Sequence, residues 1–123
     1  MQLKDYIPRI NRKYRKVFFS GIAFDSSKVR KDNIFFAIKG NKFDGNNYIN
    51  SAIKRGAKVI ISEKKNFKNV KDIIFITSKN VRKLLSNISF KILNKKPKTL
   101  IAVTGTNGKS SVTDFYYQIL NHN

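Results

Sequence analysis

The segment TGTNGKSS, at positions 104–111, constrains the fold of this chain more than any other feature. An apolar run, LIAV, precedes it, and a stretch with helical character, SVTDFYYQIL, follows it. A strand, a glycine-rich turn and a helix in this order form a βα unit. The N–H groups of its turn and the positive end of its helix can face one anion. The sequence therefore predicts a phosphate-binding loop between a strand over 99–103 and a helix that starts near Lys109.

The residue types of this loop suit a nucleoside triphosphate. The lysine at 109 would reach the β- and γ-phosphate oxygens, and the hydroxyl of Ser110 would bind Mg²⁺. The order Gly-Lys-Ser matches the P-loop pattern, although Val103 stands where that pattern usually has its first glycine. An ordinary βα turn with a chance lysine is the alternative, and the strand before and the helix after the loop argue against it.

Upstream of the loop, segments with strand character alternate with segments of helical character. Strands are expected over 17–24, 34–38, 58–62 and 72–78, and helices over 47–57 and 80–94. This alternation predicts an α/β fold with parallel strand pairing. A chain of 123 residues can form one small domain or a domain with part of another. The boundary is expected between 78 and 80, or else at the Lys-Lys-Pro-Lys break over 95–98.

The composition is strongly basic, with 26 Lys and Arg against 7 Asp and Glu and a formal net charge of +19. Such a surface attracts polyanions, but the basic residues are spread along the chain and no nucleic-acid-binding motif is visible. An AT-rich genome explains the abundance of Lys, Asn, Ile and Phe, so nucleic-acid binding is not favoured. The chain has no cysteine, no apolar run long enough to span a membrane and no signal-peptide pattern. A cytoplasmic protein is the expectation.

The loop, together with an upstream segment, resembles one family. TGTNGKSS after an apolar strand resembles the ATP loop of the Mur ligases, which build the peptide of bacterial peptidoglycan. Residues 22–63 resemble the N-terminal uridine-nucleotide domain of two members. One adds the third residue, meso-diaminopimelate or lysine, to UDP-N-acetylmuramoyl-L-alanyl-D-glutamate, and the other adds D-alanyl-D-alanine. The matching motifs are Asp25-Ser26-Ser27, Asn33-Ile34-Phe35-Phe36-Ala37-Ile38-Lys39-Gly40, Asp44-Gly45 and Ala52 with Gly56-Ala57.

Individual positions refine this resemblance. Thr106 is more typical of the member that adds the third residue. Ser27 stands in place of the arginine in the family's Asp-Ser-Arg motif, so whatever that guanidinium holds must be held otherwise. Lys31 and Asp32 replace a Pro-Gly turn, and aspartate tolerates the left-handed backbone that such a turn requires.

The resemblance implies a domain organisation and a set of site residues. A small uridine-nucleotide-binding domain would occupy 1–78, and the first strand, P-loop and helix of a truncated ATPase domain would occupy 79–123. The substrate, a UDP-N-acetylmuramoyl-dipeptide, would contact Phe24, Ser26, Asn41, Lys42 and Phe43. Lys109 would be catalytic and Ser110 would bind Mg²⁺. The ATP site would comprise Gly105, Thr106, Asn107, Gly108, Lys109, Ser110 and Ser111. From the residues alone, Ser26 could equally cap a turn, Phe43 could pack on the core and Lys42 could be a solvated lysine.

The family reaction phosphorylates the substrate carboxylate with ATP and then joins the acyl phosphate to an amino acid. The resemblance thus implies a bacterial cytoplasmic enzyme of peptidoglycan synthesis, which serves cell wall biogenesis, cell shape and cell division. The chain is expected to be an N-terminal fragment, monomeric and without ligase activity of its own. Three alternatives remain: the relative that adds D-alanyl-D-alanine, a relative similar to folylpolyglutamate synthase, and a stand-alone basic module that binds nucleotides or nucleic acid.

Overall fold

The computed structural model describes residues 1–65, 70–93 and 101–121. Within these residues a parallel sheet has the strand order β1-β2-β3-β4. The α/β class and the parallel pairing predicted from the sequence are therefore confirmed. The strands are β1 (Ile22–Ala23), β2 (Asn33–Ala37), β3 (Ala57–Ser62) and β4 (Ile74–Thr77). The helices are α1 (Leu3–Tyr6), α2 (Ile49–Lys54), α3 (Val81–Ile92) and α4 (Lys109–Asn121), with short 3₁₀ turns at Arg12–Tyr14, Ser26–Lys28 and Gly45–Tyr48.

The central strands β2 and β3 are apolar along nearly their whole length because helices or loops cover both faces of the sheet. On one face, Phe35 and Ile60 pack with Ala52 of α2. On the other face, Ile34 and Ile61 belong to a second buried cluster that includes residues of α1 and α3. The sheet is thus the middle layer of three, and its strand ends remain open for a ligand.

Helix α3 belongs to the same body as the sheet. Its residues Val81 and Ile88 are buried in the cluster that contains Leu3 of α1. The helix begins after Asn80, whose side chain accepts a hydrogen bond of 2.8 Å from the backbone N–H of Lys83. Of the two boundary positions that the sequence allows, this packing favours the one over 95–98, which lies outside the described residues.

The strand expected over 17–24 is much shorter in the structure. Only Ile22 and Ala23 pair with β2. Residues before them pair instead with the N-terminus: the N–H of Phe19 donates to the carbonyl of Met1 at 2.9 Å, and the N–H of Leu3 donates to that of Val17 at 3.0 Å. These backbone groups are therefore satisfied outside the sheet, which a pattern of apolar residues cannot indicate.

The predicted βα unit agrees with the structure in its helix but not in its strand. The helix is present and begins at Lys109 as expected. The strand over 99–103 is not formed in its described part, 101–103, and its first two residues lie outside the described residues. A strand needs a neighbour to satisfy its backbone N–H and C=O groups, and 101–103 pairs with no strand of the described sheet. The prediction of a strand there was wrong for these three residues.

The helix expected over 47–57 is shorter than predicted. A 3₁₀ turn covers Gly45–Tyr48, and α2 covers only Ile49–Lys54. Gly56 follows it with φ of +103°, in the region that favours glycine, as expected for a residue that ends a helix. No helix among the described residues has the length and apolarity needed to cross a lipid bilayer.

Candidate functional site

A cleft of about 590 Å³ lies at the carboxyl ends of β1 and β2. In open parallel sheets this edge is where ligands usually bind, because the loops that leave the strands converge there. Residues in and after β1 and β2 form most of its wall, and one residue comes from α3. The lining residues are Phe24, Asp25, Ser26, Ser27, Phe35, Ile38, Gly40, Phe43, Gly45, Tyr48 and Arg82.

The cleft contains three of the five residues expected to contact the substrate. Phe24, Ser26 and Phe43 line it, although they come from two separate loops. Asn41 and Lys42 lie next to Phe43 in the chain but do not line the cleft. Their assignment to the substrate site remains a prediction.

Two lining residues were missed by the sequence analysis. Tyr48 lies within the helix expected over 47–57, but in the structure it belongs to the 3₁₀ turn before α2 and is 43% exposed. Arg82 lies far along the chain, on α3, and its guanidinium donates to the carbonyl of Lys39 at 3.1 Å. No spacing in the sequence indicates this contact, because only the packing of α3 on the sheet creates it.

Aromatic side chains dominate the cleft wall. Phe24 is 66% exposed and Phe43 is 71% exposed, which is unusual for large apolar side chains. With Tyr48 they surround one concave site instead of being scattered over the surface. An exposed apolar cluster that lines a cleft is typical of a ligand-binding site. The expectation that Phe43 could simply pack on the core does not agree with its exposure.

Backbone hydrogen bonds hold the loop that carries Phe43. The N–H of Gly45 donates to the carbonyl of Ile38 at 2.9 Å, and the N–H of Gly40 donates to that of Phe43 at 2.8 Å. Gly45 packs so closely that a Cβ atom there would lie 2.7 Å from the backbone N and O of Ile38. The residue must be glycine for the loop to close in this way.

Ser27, which replaces the family's arginine, is engaged by its neighbour. The hydroxyl and the backbone N–H of Ser27 both donate to Oδ1 of Asp25, at 2.8 and 2.9 Å. These bonds, with smaller contributions from Lys28 and Arg55, hold the pKa of Asp25 below its ordinary value. The carboxylate is therefore charged at neutral pH and fixes the turn that presents Ser26.

A second carboxylate ties the loop after β2 to the end of β3. The backbone N–H of Asn46 donates to Oδ1 of Asp44 at 2.9 Å, and its side-chain amide does so at 2.6 Å. The hydroxyl of Ser62 donates to Oδ1 of Asn46 at 2.6 Å, and Lys64 lies 3.8 Å from Asp44. Asp44 thus caps the 3₁₀ turn and helps to position the loop at the cleft.

These contacts predict an acid-dependent effect of Asp44. The two Asn46 hydrogen bonds, the backbone one first, and the charge of Lys64 lower the pKa of Asp44 from 3.8. A depressed pKa in the folded state contributes stability at higher pH, and this contribution is lost as the pH falls through the folded-state pKa. We expect Asp44→Asn to destabilise the fold at pH 7 and to differ less from the wild type at pH 3. Urea unfolding at both pH values measures this, and a difference that does not change with pH contradicts it.

The glycine loop has several features that suit an anion. Gly108 has φ of +76°, and a Cβ atom there would meet nothing within 4 Å. Helix α4 begins at the next residue, and the first N–H groups of a helix have no acceptor within it. The ammonium of Lys109 donates to the carbonyl of Gly105, so its charge lies over the loop itself. These features fit a phosphate group.

The described residues offer few ligands for a metal ion. Among the described residues, no group of three His, Asp or Glu side chains comes together. Ser110 offers a single oxygen at the start of α4. A Mg²⁺ ion there would take most of its ligands from phosphate oxygens and water, as this ion commonly does. The binding of Mg²⁺ at Ser110 stays a prediction.

The glycine loop and α4 are not packed on the sheet. Every described side chain over 101–119 is exposed. The apolar residues of α4 that are exposed include Val112 and Phe115, at 50% and 65%. These apolar side chains of α4 therefore belong to neither buried cluster of the sheet.

The fold agrees with comparisons with known proteins. The family model described as "Mur ligase family, catalytic domain" matches residues 19–92, which is more than half of the chain. The chain therefore belongs to the Mur ligase family. The matched region includes the whole cleft and α3 but not the glycine loop.

Two similar curated relatives have the same name. The chain is 40% identical over 109 residues to a protein of Rickettsia prowazekii, which covers 89% of this chain and 22% of the relative. It is 44% identical over 109 residues to a protein of Clostridium tetani, which covers 85% of this chain and 22% of the relative. Both relatives are named UDP-N-acetylmuramoyl-L-alanyl-D-glutamate–2,6-diaminopimelate ligase. The chain thus spans about a fifth of the length of these relatives.

Solved structures confirm the fold. The MurF ligase of Thermotoga maritima, in complex with ADP, matches with a TM-score of 0.62 and 28% identity. The match covers 83% of this chain and 23% of that one. A MurF from Acinetobacter baumannii matches with a TM-score of 0.51 and 25% identity over 68% of this chain and 16% of that one.

Proposed function

We propose that the chain carries the uridine-nucleotide site and the first ATP-binding elements of a ligase of peptidoglycan synthesis. The ligase adds the third residue, diaminopimelate or lysine, to UDP-N-acetylmuramoyl-L-alanyl-D-glutamate. The observation that carries this proposal is the aromatic cleft at the carboxyl ends of β1 and β2, within the region that matches the family model. The names of the most similar relatives support the choice of substrate.

The cleft has the chemistry to hold a uridine nucleotide. The exposed rings of Phe24, Phe43 and Tyr48 can pack against a pyrimidine base, since aromatic side chains stack on planar rings. Ser26 lies in the turn that Asp25 fixes, so the backbone that carries its hydroxyl is already ordered before a ligand binds. Asn41 and Lys42 are next to Phe43 and would reach the ligand when the loop closes over it.

The glycine loop would bind ATP. The N–H groups at the start of α4 and the ammonium of Lys109 would hold the phosphates, and Ser110 would contact the accompanying Mg²⁺. When bound, ATP supplies the phosphoryl group that activates a carboxylate toward an amine. Lys109 would then be the catalytic residue because its charge offsets the charge that develops during the transfer. The remaining loop residues, Gly105, Thr106, Asn107, Gly108 and Ser111, would shape the phosphate site.

The packing of α3 supports a domain boundary that follows this helix. The division expected from the sequence, 1–78 and 79–123, would separate α3 from the sheet on which Val81 and Ile88 are buried. We place the boundary after α3, over 95–98, so that the uridine-nucleotide domain includes the helix. The glycine loop and α4 then begin the ATP-binding domain.

The ligase that adds D-alanyl-D-alanine is the second candidate. Its support is that the matching solved structures are MurF enzymes, one with ADP bound. The two candidates differ in the peptide on the substrate. Tighter binding of the UDP-N-acetylmuramoyl-dipeptide than of the tripeptide favours the first candidate, and the reverse favours the second.

We expect the chain of 123 residues to bind uridine nucleotides but to have no ligase activity. Isothermal titration with UDP-N-acetylmuramoyl-L-alanyl-D-glutamate and with UDP should show binding, and CDP, which differs only in its base, should bind more weakly. Phosphate release in the presence of ATP, the dipeptide substrate and diaminopimelate should equal the background. Phosphate release well above background would contradict the expectation, and equal binding of UDP and CDP would contradict the uridine site.

A further inference from the structure

The cleft contains one cation, and the sequence motif of the family does not include it. Among the described residues that line the cleft, Arg82 is the single basic side chain. It comes from the first turn of α3, about forty-three residues beyond the loop that it touches. A guanidinium in an aromatic cleft is a strong candidate for binding an anionic group, because it presents a planar set of donors that matches phosphate oxygens.

Position 27 cannot supply this charge. It is a serine, and both its hydroxyl and its backbone N–H donate to Oδ1 of Asp25. The only other ionisable groups of the cleft wall are the carboxylate of Asp25 and the phenol of Tyr48. A diphosphate in this cleft would lie near the carboxylate of Asp25, and Arg82 is the lining side chain that can offset the added negative charge.

The position of Arg82 is held from two sides. Its neighbour Val81 is buried in the core, which fixes the start of α3 relative to the sheet. Its Nη2 atom donates to the carbonyl of Lys39, in the loop that also carries Phe43. One carbonyl uses only part of the five N–H donors of a guanidinium, so an edge remains for a ligand.

We propose that Arg82 binds the diphosphate of the uridine nucleotide and supplies from α3 the guanidinium that Ser27 lacks. The inference rests on the proposed uridine-nucleotide site. Arg82 already contacts the loop at Lys39, so the same side chain would join α3, this loop and the diphosphate. The base is recognised by the aromatic wall and the diphosphate by Arg82, two separable contributions to binding.

The test compares ligands with and without phosphates in a matched pair of variants. Arg82→Gln removes the cation of the cleft, and Lys83→Gln removes one positive charge from the next residue of α3, which does not line the cleft. We expect Arg82→Gln to weaken UDP binding by about 10- to 100-fold, the usual loss for charge-assisted hydrogen bonds, and uridine binding by less than about 3-fold. Lys83→Gln should change neither.

A third variant separates charge from geometry. Arg82→Lys keeps the charge but loses the planar fork, so we expect it to bind UDP with an affinity between those of the wild type and Arg82→Gln. Equal losses of UDP and uridine in Arg82→Gln would show that Arg82 acts only as a structural contact to Lys39, and would overturn the inference. Unchanged UDP binding in Arg82→Gln would also overturn the role of Arg82. In that case, UDP binding by the wild type would still support the proposed uridine-nucleotide site. If the wild type binds neither UDP nor uridine, both fail.

Discussion

Replacing Ile88 with alanine is expected to destabilise the whole sheet by about 2–5 kcal/mol, the usual range for truncating a buried Ile. Ile88 is fully buried, in one cluster with Ile34 of β2 and Ile61 of β3. A cavity at this position therefore removes contacts from the centre of the fold and not only from α3. Urea unfolding followed by the far-ultraviolet circular dichroism of the chain measures the change.

The matched control is Leu93→Ala. Leu93 follows the same helix but is 53% exposed, so its loss should change the free energy of unfolding by less than about 1 kcal/mol.

Two shortened chains give an independent measurement of the domain boundary. Residues 1–93 should unfold cooperatively, whereas residues 1–78 should not, because they lack Val81 and Ile88. A cooperative transition in the 1–78 chain would show that the boundary lies before α3.

Replacing Gly45 with alanine is expected to destabilise the fold by about 1–3 kcal/mol or more, as overpacking does. The new Cβ atom would lie 2.7 Å from both N and O of Ile38, and these are backbone atoms at the end of β2 that cannot turn away. The N–H of Gly45 would also lose its bond to the Ile38 carbonyl if the loop moved. Because this loop carries Phe43, we expect UDP binding to weaken by at least about 10-fold as well.

Gly21→Ala is the control for this substitution. The Cβ atom at position 21 would lie 3.3 Å from Oδ1 of Asn33, and a side-chain oxygen can move by a few tenths of an ångström. The change should therefore cost less stability and should leave the affinity for UDP intact. Equal effects of both substitutions would mean that the close contact at Gly45 does not control the cleft.

The local patterns of the sequence were sufficient for the elements with strong periodicity. The apolar runs of β2 and β3 and the amphipathic pattern of α3 agree with the structure to within two residues at either end. The start of α4 at Lys109 was also predicted, because a glycine loop before a helix is a local signal. In contrast, residues 17–20 and 101–103 have the composition of strands but do not join the sheet. Whether an apolar segment becomes a strand depends on a neighbour, which composition does not show.

The sequence also predicted the candidate site only in part. The motifs at 24–26 and at 43 indicated two separate contributions to a ligand site, and the structure brings them to one cleft because parallel strands end at the same edge of the sheet. Phe24 and Phe43 could be named as candidates from the sequence. That they are exposed and face one cavity could not, since exposure depends on what packs around a residue.

The sequence by itself determined the family, the α/β class and the motifs whose residues line the cleft, because these depend on residue types at short spacing. Only the tertiary structure decided that α3 belongs with the first sheet and that Arg82 enters the cleft. Both depend on Val81 and Ile88 packing in one cluster with Ile34 of β2 and Ile61 of β3, which are distant in the chain. Such contacts are set by the burial of apolar surface over the whole domain, which no local pattern contains.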